Sequence, residues 1–371
     1  MVWPGLHICP PQPQASSAEK MTRDFMKNLT RLPQVSSQTF LKFLPYGLAV
    51  MGLVWVLHDV NPGQVFHQAA YVNWWWVGLA VGCDTISYVS QGWRWHSLLP
   101  RPTRVTVGQT TQAVYAGLFA SEILPLRAGE IVRAMVVGKW ANLPVTTIVP
   151  SIIVERLLDG FWLVVALSMA ATWLPVPKQV VEATWILAGA MIVASGLGCL
   201  VVWQAGGISK TRLEALSPPL AGIWSRLYQT GWLPLVQGVQ SLTPGRHLAL
   251  AGVLSGVYLS TQVVAFWGAL RACQIQVALP TALLVFLLVQ LGTMLPNTPS
   301  NIGTYQFFCT LGLTLVGIEK NAAVAASMLV FLILTVPLWI LGCIATSQCQ
   351  LSGAQLNQIA SQQATEAPDA I

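Results

Sequence analysis

Charge is what this chain has least of: Asp, Glu, Lys and Arg make up 9% of its 371 residues, against 54% hydrophobic residues. A soluble domain carries about a quarter charged residues, and a mean hydropathy of +0.61 leaves more apolar surface than one water-soluble core of this length can hide. Paired cysteine motifs are also missing. Cys9, Cys83, Cys199, Cys273, Cys309, Cys343 and Cys349 are scattered, mostly inside apolar runs, with no CxxC or Cys/His spacing. They read as small hydrophobes, so no metal site and no cofactor is expected. The five histidines are equally isolated. No Walker A sequence is present, which argues against ATP hydrolysis by this chain, and no DxD pair is present for a divalent metal. The formal charge of +6 does not form a continuous basic patch, because the basic residues flank hydrophobic segments; a nucleic-acid partner is therefore excluded.

What is present is a series of long apolar windows. About 20 residues at about 1.5 Å rise cross the hydrocarbon core, and windows of this length are not the alternating strands of a barrel. The fold class is therefore an all-α polytopic membrane protein, of about six full spans plus two broken or re-entrant helical pairs. Residues 1–39 are polar and proline-containing, without the apolar core of a signal peptide, and an uncleaved cytoplasmic disordered tail is expected there. Spans follow at 41–58 and 71–92. Trp74, Trp75 and Trp76 open the second and Trp93 and Trp95 close it, about 25 Å apart on a helix, as two interfacial belts require.

Segments 107–123 and 129–140 are each too short to cross alone, and Pro125 and Gly129 break the chain between them. Full spans at 146–172 and 184–203 lead to a polar, partly amphipathic linker at 204–246, a candidate interfacial element. The plan then repeats: a span at 247–271, segments at 280–295 and 303–317 around Pro296, Pro299 and Gly303, a span at 322–346, and a polar tail at 347–371 expected to be disordered. The transmembrane domain is thus 40–346, with repeat halves 71–172 and 247–346. Pro125 and Pro296 lie 171 residues apart, a near-constant offset that points to an internal repeat. With both termini cytoplasmic and both broken pairs returning to their own side, 16 of the 19 Lys and Arg fall at the inner face; only Lys178, Arg271 and Lys320 do not. The halves then have opposite topology, an inverted repeat of transporter type with its site at the breaks.

Three segments could carry chemistry. In Leu124-Pro125-Leu126-Arg127-Ala128-Gly129-Glu130-Ile131-Val132-Arg133, the residues Arg127, Glu130 and Arg133 lie at i, i+3, i+6, one helical stripe. Charge near mid-membrane costs about 2.5–3.5 kcal/mol on insertion scales, so it is seldom kept without a use. The alternative is a pair of interfacial anchors. In Ser151-Ile152-Ile153-Val154-Glu155-Arg156-Leu157-Leu158-Asp159-Gly160, Glu155 and Asp159 share a face and Arg156 can bridge two acids; a purely structural ion-pair network is the competing reading. The third segment is the second break, where Asn297, Ser300, Asn301, Tyr305 and Gln306 are polar but uncharged. Helix amino-termini at both breaks, with the arginines nearby, suit an anionic group such as a lipid phosphate. Asp84, alone in its span, either faces the same cavity or is capped by a neighbouring hydroxyl.

Taken together, LPLRAGEIVRA, SIIVERLLDG and LPNTPSNIGTYQF resemble, in order and spacing, the three signature segments of the lysylphosphatidylglycerol synthase transmembrane-domain family of flippase-like proteins, over about residues 40–346. The family includes the membrane half of the multiple peptide resistance factor, which is held to move aminoacylated phosphatidylglycerol between leaflets. Arg127, Gly129, Glu130 and Arg133 match the first motif, Glu155, Arg156 and Asp159 the second, and Pro296, Pro299, Gly303 and Gln306 the third. Many members have Gly-Gly or Gly-Tyr at Ser300-Asn301 and often Glu at Gln306. The resemblance implies a lipid flippase or scramblase for an anionic or aminoacylated phospholipid or a polyprenyl-phosphate lipid, in a bacterial plasma membrane. Aminoacyl transfer in the resistance factor belongs to a soluble domain, and about 25 mostly polar residues follow Thr346, so this chain is expected not to be that synthase. Two alternatives are a membrane transferase using Glu130, Glu155 or Asp159, and a partner of a lipid-modifying enzyme. Substrate lipid, energy source and oligomeric state are not encoded in any recognisable motif.

Overall fold

The computed structural model describes residues 70–101, 104–123, 129–173, 245–293 and 299–349, with isolated positions at 51, 63 and between 182 and 196, all within the unit Pro45–Ile371. The expectations for the 1–39 tail, the spans at 41–58 and 184–203, and the linker as far as residue 244 lie outside the described residues, as does the tail beyond 349.

Eight helices are described: α1 Trp74–Leu98, α2 Val107–Ile123, α3 Gly129–Ala141, α4 Val145–Trp173, α5 Gly245–Ala272, α6 Leu279–Thr293, α7 Thr304–Leu315 and α8 Lys320–Gln348. Local chemistry sets their ends. Asn73 caps α1 by accepting the Trp75 N–H at 3.0 Å, and Pro100 follows its last turn. Between α3 and α4, Asn142 takes a left-handed φ of 53°, a conformation Asn tolerates, and the Leu143 N–H closes back on the Gly138 carbonyl at 3.0 Å. Gly303, at φ 89°, precedes α7 where only glycine is unstrained, and its N–H donates to Gln306 Oε1 at 2.7 Å.

α5 and α8 are long and apolar enough to cross a membrane. At 25 and 29 residues, α1 and α4 have the length too, and it is these two that carry buried charge. α8 continues to Gln348, so the carboxy-terminal tail starts later than expected, and Arg246 is already part of α5. Trp74 and Trp75 are exposed, as a belt requires, but Trp95 is wholly buried. That corrects its assignment to the second belt: α1 runs one turn further, and the Trp95 indole donates to Ser151 Oγ at 3.0 Å.

The most extensive contact joins α1 to α5. The other main helix pairings come in twos that exchange when α1–α4 are swapped for α5–α8: α2 with α8 and α4 with α6, α2 with α3 and α6 with α7, α1 with α2 and α5 with α6. α3 with α4 matches α7 with α8, α1 with α4 matches α5 with α8, and α1 with α8 matches α4 with α5. Two apolar clusters result. One is centred on Phe266, Leu287 and Leu313, the other on Val114, Val132 and Ile148.

Candidate functional site

α1 supplies the part of the site that the three motif segments do not contain. Asp84, Ser87, Gln91 and Arg94 are all buried, and they recur at i, i+3, i+7 and i+10, one face of a helix. The signal is present in the sequence as a polar stripe through an otherwise apolar span. The positive-inside count takes Arg94 only as one basic residue among many; its complete burial sets it apart from a solvated loop charge.

Arg94 is 0% exposed, and so is Glu155 on α4; they pair at 2.7 Å. The other arm of the Arg94 guanidinium reaches Asp159 and donates to Ser255 Oγ of α5 at 3.1 Å, with the Tyr258 ring 5.0 Å from its centre. Arg133 of α3 closes on the other side of Glu155 at 2.9 Å and lies 4.8 Å over the Trp95 ring. The Gln91 side-chain amide donates to Glu155 at 3.0 Å. Further out, Arg156 joins Glu130 at 2.9 Å and Asp159 at 3.1 Å.

Three guanidinium groups thus alternate with three carboxylates along one chain of contacts. The inner members, Arg94, Glu155 and Arg133, are closed off from solvent; a buried charge without its partner costs several kcal/mol, so this part holds α1, α3 and α4 together. The outer members are accessible, Arg156 most of all at 45% of its side chain. The cation bridging Glu155 and Asp159 is Arg94, not Arg156 as their helical spacing suggested. Glu130 and Arg133, although one turn apart, pair with different residues of α4 and not with each other.

Arg156 lies between two hollows. One, about 110 Å³, is lined by Asp159, Trp162, Ser255, Tyr258, Gln290 and Thr293. The other, about 340 Å³, is an apolar groove between α3 and α4 lined by Ile131, Ala134, Val149, Ile153 and Leu157, with Glu130 at its edge. A third hollow of about 160 Å³ lies at the breaks, where Ser300, Asn301 and Tyr305 meet Asp84, Tyr88 and Glu122; it shares Gln290 and Thr293 with the first. Asp84 therefore satisfies both sequence readings, since it faces this cavity and has the Tyr88 hydroxyl as hydrogen-bond partner. The Ser300 hydroxyl donates to the Glu122 carbonyl at 2.9 Å and so ties the two breaks together. Ser300 and Asn301 hold φ of 58° and 51°, the left-handed region that favours the glycines common at these positions. Gln306 is turned to the α7 cap and is absent from the described cavity lining. Arg127, Pro125, Pro296 and Asn297 lie outside the described residues, and Pro299 opens the short 3₁₀ turn Pro299–Asn301.

Comparison with known proteins identifies the family. The family described as lysylphosphatidylglycerol synthase TM region matches residues 42–342. A curated protein, the glycosyltransferase AglD of Haloferax volcanii, is 25% identical over 313 residues, covering 76% of this chain and 50% of the relative. The chain thus spans about half the length of that protein.

Proposed function

The chain belongs to the lysylphosphatidylglycerol synthase transmembrane-region family, and from that premise we propose that it moves a phosphate-bearing lipid between leaflets, with Arg156 as the headgroup contact. It is a membrane protein related to lipid chemistry. The observation that carries the proposal is the position of Arg156: the most exposed arginine of the network stands where a polar cavity meets an apolar groove. A guanidinium can exchange a carboxylate for a phosphate bidentately, and the groove between α3 and α4 offers an acyl chain a path beside it. Glu130 and Asp159 hold Arg156 in place and release it to the ligand, while Arg133 and Glu155 keep the frame rigid. Arg127, Asn297, Ser300, Asn301, Tyr305 and Gln306 would line or shape the remainder of the path. The exchangeable helix pairings of the two halves support an inverted repeat with the breaks at its centre.

The substrate class is an anionic or aminoacylated phospholipid, or a polyprenyl-phosphate lipid. Leaflet translocation of fluorescent phosphatidylglycerol, lysyl-phosphatidylglycerol, phosphatidylethanolamine and a polyprenyl phosphate in proteoliposomes tests it. Arg156→Ala is expected to lower the rate at least about tenfold, the loss of one charge-assisted contact, with folding preserved because the residue is partly exposed. Arg101→Ala, at an exposed position outside the site, should leave the rate unchanged. Equal rates in wild type and Arg156→Ala would end the proposal.

A second reading has one specific support, the likeness to a glycosyltransferase: the chain would be the membrane half of a lipid-glycan transferase system, acting beside a partner enzyme. Sugar transfer to a polyprenyl phosphate by the purified chain, or only after adding a co-purifying enzyme, would favour it over translocation. The 204–246 linker, the candidate docking element for such an enzyme, lies for the most part outside the described residues.

A further inference from the structure

The hollow at the breaks has an electrostatic character opposite to that of Arg156. It contains the carboxylates of Asp84 and Glu122, from two different helices, and among the described residues no basic side chain lines it. Asp84 is 6% exposed. Its Tyr88 partner is a neutral donor, which satisfies one lone pair but leaves the charge uncompensated. Glu122 accepts from the Trp339 indole at 3.4 Å, and the contrast of Asp84 with the guanidinium-paired carboxylates of the arginine network lies within one molecule.

Backbone polarity points the same way. α2 ends at Ile123 with Glu122 in the cavity wall, and α6 ends at Thr293 with Gln290 and Thr293 in the wall. The described carboxy-terminal turns of these two helices bring a partial negative charge to this wall, and the Glu122 carbonyl already accepts from the Ser300 hydroxyl. Among the described residues the amino-terminus of α7, with Tyr305 on the wall, is an opposing dipole. The Tyr305 hydroxyl, on the same wall, is buried and has no hydrogen-bond partner, an oxygen left for a ligand. The donors are oxygens throughout, which suit hard cations and not soft metals. About 160 Å³ holds an ion with a few waters, each of which takes about 30 Å³.

We propose that the cavity where Asp84, Glu122 and Tyr305 meet binds a compact monovalent cation, with Asp84 as its principal anionic ligand and Glu122 and the Tyr305 hydroxyl completing the shell. The cation is an alkali ion or the primary ammonium of a bound molecule; both carry a single positive charge and are held by oxygen atoms. The site is distinct from the Arg156 contact and communicates with it through Gln290 and Thr293.

Thermal melting of the full chain in detergent, in choline chloride at constant ionic strength, tests this by replacing choline with sodium, potassium or methylammonium. At least one small cation should raise the melting temperature saturably. Asp84→Asn should weaken half-saturation at least about tenfold, the effect of losing the main charge contact. Glu122→Gln and Tyr305→Phe should weaken it several-fold; the latter removes a single oxygen and keeps the ring against Phe331, so it remains informative if the acidic variants misfold. A response to sodium or potassium alone assigns the site to an inorganic ion, and a stronger response to methylammonium assigns it to an amine. No saturable shift over choline, or the same half-saturation in wild type and every folded variant, would overturn the proposal. No lipid moves in this measurement, so its failure leaves the translocation reading standing, and a failure of Arg156→Ala to slow transport leaves this one.

Discussion

Arg94→Met is expected to cost the fold about 3–5 kcal/mol, the penalty for breaking a buried ion pair from one side. The guanidinium is fully enclosed and serves Glu155, Asp159 and Ser255 together. Its removal leaves Glu155 with one cation, Arg133, and the Gln91 amide, while Asp159 retains Arg156. The excess is one buried negative charge, so the remedy is the loss of one carboxylate. Arg94→Met combined with Asp159→Asn leaves two complete pairs, Glu155 with Arg133 and Arg156 with Glu130. The double variant should therefore be more stable than Arg94→Met, by a coupling of about 0.5–3 kcal/mol. Arg94→Lys keeps the charge but not the fork that spans two carboxylates, and it should fall between wild type and Arg94→Met. Unfolding in detergent, read by melting and by the folded fraction on size exclusion, checks the order. If Arg94→Met melts like wild type, the inner network does not hold the helices.

The second large effect is expected at Gly129. α2 and α3 approach so closely here that a Cβ on Gly129 would stand 1.7 Å from the Gly117 carbonyl oxygen and 2.3 Å from Ser121 Oγ. Backbone cannot yield as a flexible side-chain end can, so Gly129→Ala must part the two helices. Overpacking of this kind costs about 1–3 kcal/mol or more, and the upper end applies because the obstacle is main chain. Glu130 and Arg133 sit on the displaced helix, so under the proposed function the variant should also lose lipid translocation even where it still folds. Gly82→Ala is the opposite case. It lies inside α1 with nothing within 4 Å of an added Cβ, and a helix-interior glycine replaced by alanine gains about 0.5–1 kcal/mol. Melting both variants beside wild type gives two shifts of opposite sign; a shared sign would show that close approach is not what Gly129 provides.

The helices themselves are legible in the hydropathy pattern. The expected segments 107–123 and 129–140 correspond to Val107–Ile123 and Gly129–Ala141, and 146–172 to Val145–Trp173. In lipid every backbone group must be bonded within its own helix, so hydrophobic length, proline and glycine act locally and can be read locally. The motif residues of the arginine network are legible for the same reason, because uncompensated charge in an apolar span stands out. Local spacing fails where it is used to choose partners. It gives Arg156 to Glu155 and Asp159 because they share its helix, yet Glu155 is held by Arg94, 61 residues earlier, and by Arg133, 22 residues earlier. It puts Trp95 in a belt by its distance from Trp74, although one more helical turn carries it into the core.

The sequence by itself determined that this is a helical membrane protein of one family, approximately where its described helices begin and end, and which charges are too costly to be incidental. Only the tertiary structure decided how those charges divide: which are sealed inside the network, that Arg156 remains accessible beside an apolar groove, and that Asp84 and Glu122 share a cavity that no basic side chain lines among the described residues. Helix formation is governed by neighbours three and four residues away and by the solvent around them. Charge compensation is governed by distance in space, and that is set only when α1, α3, α4 and α5 have come together.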